Sequence, residues 1–487
     1  MANRPFGTSV WGRAGVSLAL AGLQWCALPT VYAQSNSGYG QVWSHEAESR
    51  ANQAREEKER QLSDRFPDKP SIPPAFIIPA EPLGFSPPGS IYLGERWSFV
   101  SLDFLDEDRL LFTFRVPGLI RRGNGDRGDV RQIRALVLAL PQGTVEAEAV
   151  WQVHDRARYL WMLKDGHFLL RDRDGLQLGD ASLQMKPFLH FPGPVLWLEL
   201  DPKQQYLVTN SREPALAAHK AGDVASAPNS SSDKDQSPGT GTNHPGDKDP
   251  SPGTPTTAAT NGFEEAQAPA GRSDMVLRIL RRDSGKVMLV SRVATAVHLP
   301  LNSDGYLEGL RGNGERWMLN LDYFSGGSRL LGHVDSSCMP AYDFVSEREI
   351  LITACESSGA HRLEAMDTEG RHLWDVLSPG QGIWPLVVSS QDGLRLVRET
   401  LAVKHSVDSL SPIETEDVKG QLVRVFDAAT GKVTLAAPAI PALDGGGNMA
   451  ISPSGRRVAV LNAGAIQVFE LPPPAPMPEM DGSQKGH

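Results

Sequence analysis

Four histidines stand at comparable places along the chain, each just past a run of β-rich sequence: His154, His190, His298 and His333, with Asp155 and Asp335 beside two of them. Brought together, neutral imidazoles could ligate a metal ion or hold an anionic ligand. The alternative is structural, with each imidazole hydrogen-bonding a neighbouring turn and fastening one unit of the fold to the next. Metal ligation needs several donor atoms within ~2.1 Å of one ion, which widely spaced connections do not readily supply. The pattern therefore predicts a binding surface that includes His154, Asp155, His190, His298, His333 and Asp335, with no metal centre and no cofactor.

Enzyme signatures do not accompany these histidines. The sequence has no GxSxG elbow, no GxxxxGK[ST] phosphate loop, no HExxH and no CxxC. Arg122-Gly-Asn-Gly-Asp126 and Arg311-Gly-Asn-Gly-Glu315 look like phosphate cradles, but neither opens a predicted helix, so both read as hairpin loops. Arg127-Gly128-Asp129 is read as coincidence in a Gly- and charge-rich loop. Asp172-Arg-Asp174-Gly175 alternates acids as calcium loops do but lacks the later ligands, and it reads as a turn. Trp161, Trp197, Trp317 and Trp374 lie within strand-like runs and are expected in the core.

The elements that must position these groups are short strands. Runs such as Arg109-Leu-Leu-Phe-Thr-Phe, Gln205-Tyr-Leu-Val-Thr-Asn, Glu349-Ile-Leu-Ile-Thr-Ala and Arg457-Val-Ala-Val-Leu-Asn each follow a shorter apolar run across a turn. Those shorter runs are Leu102-Asp-Phe, Leu198-Glu-Leu, Tyr342-Asp-Phe and Met449-Ala-Ile. A second hairpin type turns on an acid and a glycine, at Asp283-Ser-Gly-Lys, Asp367-Thr-Glu-Gly-Arg and Asp427-Ala-Ala-Thr-Gly-Lys. Two hairpins in succession make a four-stranded antiparallel unit, and repeats of about 45 residues fit propeller blades. The expected fold is all-β, a single β-propeller of seven four-stranded blades with disordered tails and one long disordered insert. Blade limits are Arg96–Gln152, His154–Phe191, Val195–Ala296, Asn302–Val334, Met339–Leu377, Ile383–Ala437 and Asn448–Leu471. A six-bladed ring and a pair of sandwiches are the competing arrangements. Only three strands are evident in the last blade, so a closing strand from the N-terminal side is expected at Ser86–Leu93.

Tyr206-Leu-Val-Thr-Asn210 resembles the Tyr-Val-Thr-Asn strand of the bacterial YVTN propellers, which lie near the WD-repeat proteins. Ser452-Pro-Ser-Gly-Arg and Asp283-Ser-Gly-Lys are similar to turns of that group, and Gly332-His333 to the WD-repeat Gly-His step. Trp374-Asp375 falls on a fourth strand rather than a third, so no blade carries a complete WD tetrad. The resemblance covers 95–471 and implies a propeller. Some such propellers resemble lactonases, which makes a lactone hydrolase or metal-assisted hydrolase working in the central channel the alternative to a binding scaffold.

Outside the ring the sequence changes character. Residues 1–33 read as a secretory signal, with Arg4 and Arg13 as the positive flank, an apolar stretch from Ala14 to Leu23, and a cleavage site at Val31-Tyr32-Ala33. Residues 34–94 read as a solvated helical and Pro-rich stalk, 213–273 as a disordered insert poor in large apolar side chains, and 472–487 as a disordered tail. The insert is expected to leave and rejoin one sheet, because its flanks read as the second and third strands of one blade.

The net charge of −10 over 487 residues argues against nucleic acid as a partner. A secreted or periplasmic location is expected, without stable membrane insertion once the signal is cleaved, and the chain is expected to be a monomer that binds a protein, peptide or glycan. Of the three cysteines, Cys338 and Cys355 flank one predicted hairpin. A turn centred on Ser346–Glu349 sets Cys355 opposite position 340, two residues from Cys338, close enough for a disulfide in an oxidising compartment.

Overall fold

A computed structural model describes residues 67, 69–87, 100–116, 121–122, 129–154, 158–214, 273–357, 360–378, 382–384, 386–404, 413 and 415–474. All lie within one unit, 58–487. The expected signal sequence, the first part of the stalk, Asp155 and residues 215–272 lie outside the described residues.

Strand burial changes in a regular way within each sheet. Second strands are buried on both faces: in Arg109–Arg115 the five central residues are buried, and every residue of Arg395–Val403 except Ala402 is buried. A strand reads this way when packed sheets cover it on both sides. Fourth strands such as Thr144–Val153 and Val287–Val293 are mostly exposed. The core therefore lies between neighbouring sheets and thins towards the rim.

Seven sheets result. Blade 1 comprises Val100–Phe104, Arg109–Arg115, Asp129–Ala139 and Thr144–Val153, and blade 2 comprises Leu160–Met162, Phe168–Asp172, Gly175–Gly179 and Met185–His190. Blade 3 comprises Val195–Leu200, Tyr206–Pro214, Ser273–Arg281 and Val287–Val293. Blade 4 has three strands, Gly305–Arg311, Arg316–Tyr323 and Ser328–Asp335. Its innermost place is taken by an irregular segment bridged at Leu301 and Tyr306, where Pro300 lacks the amide that a ladder needs. Blade 5 comprises Ala341–Phe344, Glu349–Cys355, His361–Asp367 and His372–Ser378. Blade 6 comprises Val387–Ser389, Arg395–Val403, Val418–Asp427 and Val433–Ala439, with Gly382–Ile383 also paired to its second strand. Blade 7 comprises Met449–Ile451, Arg457–Asn462 and Ala465–Glu470, with Phe76–Pro79 as its outer strand. The first strand of blade 1 touches the first strands of blades 2 and 7, so first strands line the centre of the ring.

The fourth strand of blade 7 corrects the sequence reading. Phe76–Pro79 pairs antiparallel with Ala465–Glu470, Phe76 facing Val468 and Pro79 facing Ala465. Ser86–Leu93 was expected there, but Pro87 and Pro88 have no amide to donate to a ladder. Phe76 and Ile78 instead turn towards the core while Ile77 points outwards. Residues 69–87 are thus part of the ring rather than stalk: Phe85 is buried, its ring centroid 5.5 Å from those of Phe112 and Phe114. The tail is also held beyond Leu471, because the Pro472 carbonyl accepts a 2.5 Å hydrogen bond from Arg395 Nη2. Gly447 fastens the ring where its ends meet. Its carbonyl accepts from the Leu102 amide at 3.0 Å, and at φ +98° a Cβ would stand 2.2 Å from the Val100 carbonyl oxygen.

Blade 3 shows how the insert is accommodated. Its second and third strands pair without interruption from Tyr206–Arg281 to Pro214–Ser273, so residues 215–272 leave and rejoin one sheet. The ladder runs slightly further than 213–273 implied, because Glu213 is buried against Arg278. The two side chains form a bidentate ion pair, with Arg278 Nη2 2.8 Å from Glu213 Oε2. Charge complementarity here extends a strand that hydropathy would end.

Candidate functional site

The first strand of each blade enters from the blade-to-blade connection and leaves at a tight turn. Counting rungs back from that turn puts Asp103 opposite Leu111, Glu199 opposite Val208 and Asp343 opposite Leu351. Each acid occupies the second rung from its turn, so blades 1, 3 and 5 present a carboxylate at the same level of the central wall. Apolar neighbours on both sides point into the interblade core, which fixes which residue faces the centre.

His298 lies on the irregular inner segment of blade 4, between two of these acids. Nδ1 donates to Glu199 Oε1, and Nε2 donates to the Tyr342 carbonyl at 2.7 Å with Asp343 Oδ1 at 3.4 Å. Burial opposes its charge, but the hydrogen bonds and charges of Asp343 and Glu199 prevail and push the imidazole up to about 11. It is an imidazolium that clamps blades 3, 4 and 5. Trp197 completes this side: its Nε1 donates to Glu199 at 2.7 Å and its ring meets His298 edge-on at 5.9 Å.

On the opposite arc, Asp103 accepts from the Ser101 hydroxyl and faces Arg158. Burial pushes its carboxyl up to about 7, against the pull of Ser101 and Arg158. Arg158 donates Nε to the Leu160 carbonyl at 3.0 Å and lies 5.3 Å from the Trp161 ring centroid. In blade 6, Arg398 lies 4.2 Å above the ring of Trp384, which also meets His361 at 4.9 Å. Burial, with Arg424 nearby, pushes the Arg398 guanidinium down to about 9.

The other histidines from the sequence reading do not join this arc. The His154 amide donates to Asp172 Oδ1 at 2.8 Å, and its Nδ1 lies 3.0 Å from Asp172 Oδ2. His190 is exposed with Nδ1 3.9 Å from Asp174, so these two flank one turn of blade 2. His333 is exposed on the outer strand of blade 4. Asp335 ends that strand and pairs with Arg316 Nε at 3.1 Å. His298 thus sits among the inner-wall acids, while His154 bonds to one end of the blade 2 turn and His190 lies beside the other. Among the described residues no three His, Cys, Asp or Glu side chains are grouped to hold a metal ion. The Cys338–Cys355 disulfide is present, with Cα atoms 5.5 Å apart, and ties the connection between blades 4 and 5 to the second strand of blade 5.

Sequence reasoning missed Asp103, Glu199 and Asp343 as a set. Their signal was the acid at the centre of Leu102-Asp-Phe, Leu198-Glu-Leu and Tyr342-Asp-Phe. A charge amid apolar neighbours at the same rung of three blades marks the inner wall. Trp374, by contrast, is core as expected, buried with Nε1 donating to the Ala428 carbonyl.

No protein-family model and no curated protein matches the chain. Among solved structures it is similar to Pyrococcus horikoshii acylaminoacyl peptidase, at 8% identity and TM-score 0.42 over 75% of this chain and 50% of that one. The chain thus spans about half the length of that peptidase chain. The β-propeller domain of the Pyrococcus furiosus Trilobed protease, described as having an open velcro topology, matches at 9% identity and TM-score 0.41 over 77% of this chain and 95% of that one. A chain of the Mitotic Checkpoint Complex matches at 9% identity and TM-score 0.40, covering 83% and 94%. The seven-bladed fold itself rests on the strand pairings above.

Proposed function

We propose that the protein is a secreted or periplasmic binding scaffold, monomeric and YVTN-like, that receives a protein, peptide or glycan at the mouth of its central channel. The observation that carries this reading is the inner wall: Asp103, Glu199 and Asp343 recur at one rung, interleaved with Arg158, His298 and Trp197. Charged groups beside an aromatic ring suit a ligand rich in hydrogen-bonding groups over an apolar body. The disulfide fits an oxidising compartment, and among the described residues no helix is long and apolar enough to cross a membrane. His298 supports binding over hydrolysis, because a cationic imidazole donating through both nitrogens has no lone pair for general-base work or metal ligation. His154, His190, His333 and Asp335 are assigned to the surrounding rim, and Asp155, outside the described residues, is kept as a candidate from the sequence alone.

The test is a peptide and glycan array probed with the full chain and with Glu199→Gln and Trp197→Ala variants. The scaffold reading expects hits that both variants weaken while the thermal melt stays cooperative. An array without hits, or hits indifferent to both substitutions, would overturn it.

A further inference from the structure

The tight turns that end the first strands all lie within the described residues, and they bond to one another across the ring as well as around it. In the turn of blade 6, Gln391 Nε2 donates to the Leu163 carbonyl in the turn of blade 2 at 3.3 Å. Blades 2 and 6 are not neighbours: blades 7 and 1 separate them on one side and blades 3, 4 and 5 on the other. This bond therefore crosses the axis of the ring. A second chord joins blades 3 and 5 past the turn of blade 4, with Lys203 Nζ 3.5 Å from Glu347 Oε2. Asn302 of blade 4 donates to the Glu347 carbonyl at 3.0 Å and closes the gap beneath that chord. Around the perimeter, the Ser454 amide of blade 7 donates to Glu107 of blade 1 at 2.8 Å, and the Lys164 amide of blade 2 donates to Gln204 of blade 3 at 2.6 Å. Turns bonded in both directions make a floor to the channel.

The inner-wall carboxylates stand just above this floor. Glu199 is the fifth of six residues in Val195–Leu200, and Asp103 and Asp343 are likewise next to last in their strands. At ~3.3 Å per residue they lie within about 7 Å of the turns. A ligand group that reaches them from the blade-to-blade side passes nearly the whole of a first strand and stops there. A polymer entering a one-ended channel presents either an end or a bend. An end has the cross-section of one chain, whereas a bend has that of two and must order both limbs. The wall it meets is ionised, with His298 donating to Glu199 and to the Tyr342 carbonyl beside Asp343. A peptide end brings a formal charge to such a wall, and a neutral sugar end brings none. We propose that the channel is blind and takes the free end of a peptide chain, which enters past the blade-to-blade connections and stops at the floor spanned by Gln391 and Lys203. This rests on the scaffold reading above and names the part of the ligand that passes the mouth.

Random heptapeptide libraries displayed in three formats test this on the immobilised full chain: with a free N-terminus, with a free C-terminus, and as a closed loop whose two ends join the carrier. A free-ended format is expected to yield binders, and the loop format none within about tenfold of their affinity, because a loop enters only as a bend. A selected free-ended peptide with benzoylphenylalanine next to its free end should crosslink, on illumination, to the floor turns at 163–167 or 390–394. The same group at the carrier end should crosslink to the blade-to-blade connections instead. Loop binders of equal affinity, or free-end crosslinks confined to the connections, overturn the proposal. If no peptide format yields binders while the glycan array keeps its hits, the peptide end falls and the scaffold stands. If arrays and libraries are all empty, the scaffold falls with it.

Discussion

Glu399 lies on the second strand of blade 6, fully buried, facing the Gly447–Asn448 connection into blade 7. Burial pushes its carboxyl up to about 8 from 4.5, and the backbone amides of Gly447 and Asn448 pull it back only in part. Between those two values the native state holds a proton that the unfolded chain has lost. The contribution of Glu399 is therefore complete below about pH 4.5 and is lost as pH rises through 8, at about 1.4 kcal/mol per pH unit. Over the whole window this amounts to about 5 kcal/mol. Glu399→Gln keeps the shape and removes the proton. Urea unfolding of wild type and variant at intervals from pH 4.5 to 9 should show a gap that grows in favour of the variant across that window and levels off above pH 8. Glu349, pushed up to about 7 by burial and by Asp427, changes stability in the same direction but is common to both proteins and cancels. A gap that does not vary with pH would refute the burial argument.

Two further predictions concern the frame. Reducing the Cys338–Cys355 bridge, or replacing both cysteines by Ala, should lower stability by about 3 kcal/mol, as expected for a closed loop of this length, read from denaturant midpoints. Replacing residues 215–272 by a short Gly-Ser turn between Pro214 and Ser273 should leave a soluble protein with one cooperative melt, since loop length adds little closure entropy. Aggregation of that deletion would contradict the single-ring account.

The fold was largely legible in the sequence because most blades are local: they are pairs of hairpins whose turns are written in nearby residues, such as Asp367 accepting the amides of Glu369 and Arg371 on either side of Gly370 at φ +84°. Closure was less legible. Phe76–Pro79 pairs with a strand almost the whole chain away, and no local periodicity distinguishes it from the prolines around it. The inner wall was least legible. His298 meets Glu199 and Asp343 only once blades 3, 4 and 5 stand side by side, so the histidine was visible while its partners were not. Spacing suggested four equivalent histidines, but the ring places His298 inside and His190 and His333 on exposed strands.

The central claim is that ligand engages the inner wall rather than the rim. The most direct measurement is a crystal structure of the full chain with the tightest array hit. The account predicts ligand density between the first strands of blades 1, 3 and 5, within hydrogen-bond distance of Arg158, Glu199 or Asp343. Density confined to the outer strands, with the channel mouth unaltered, would contradict it.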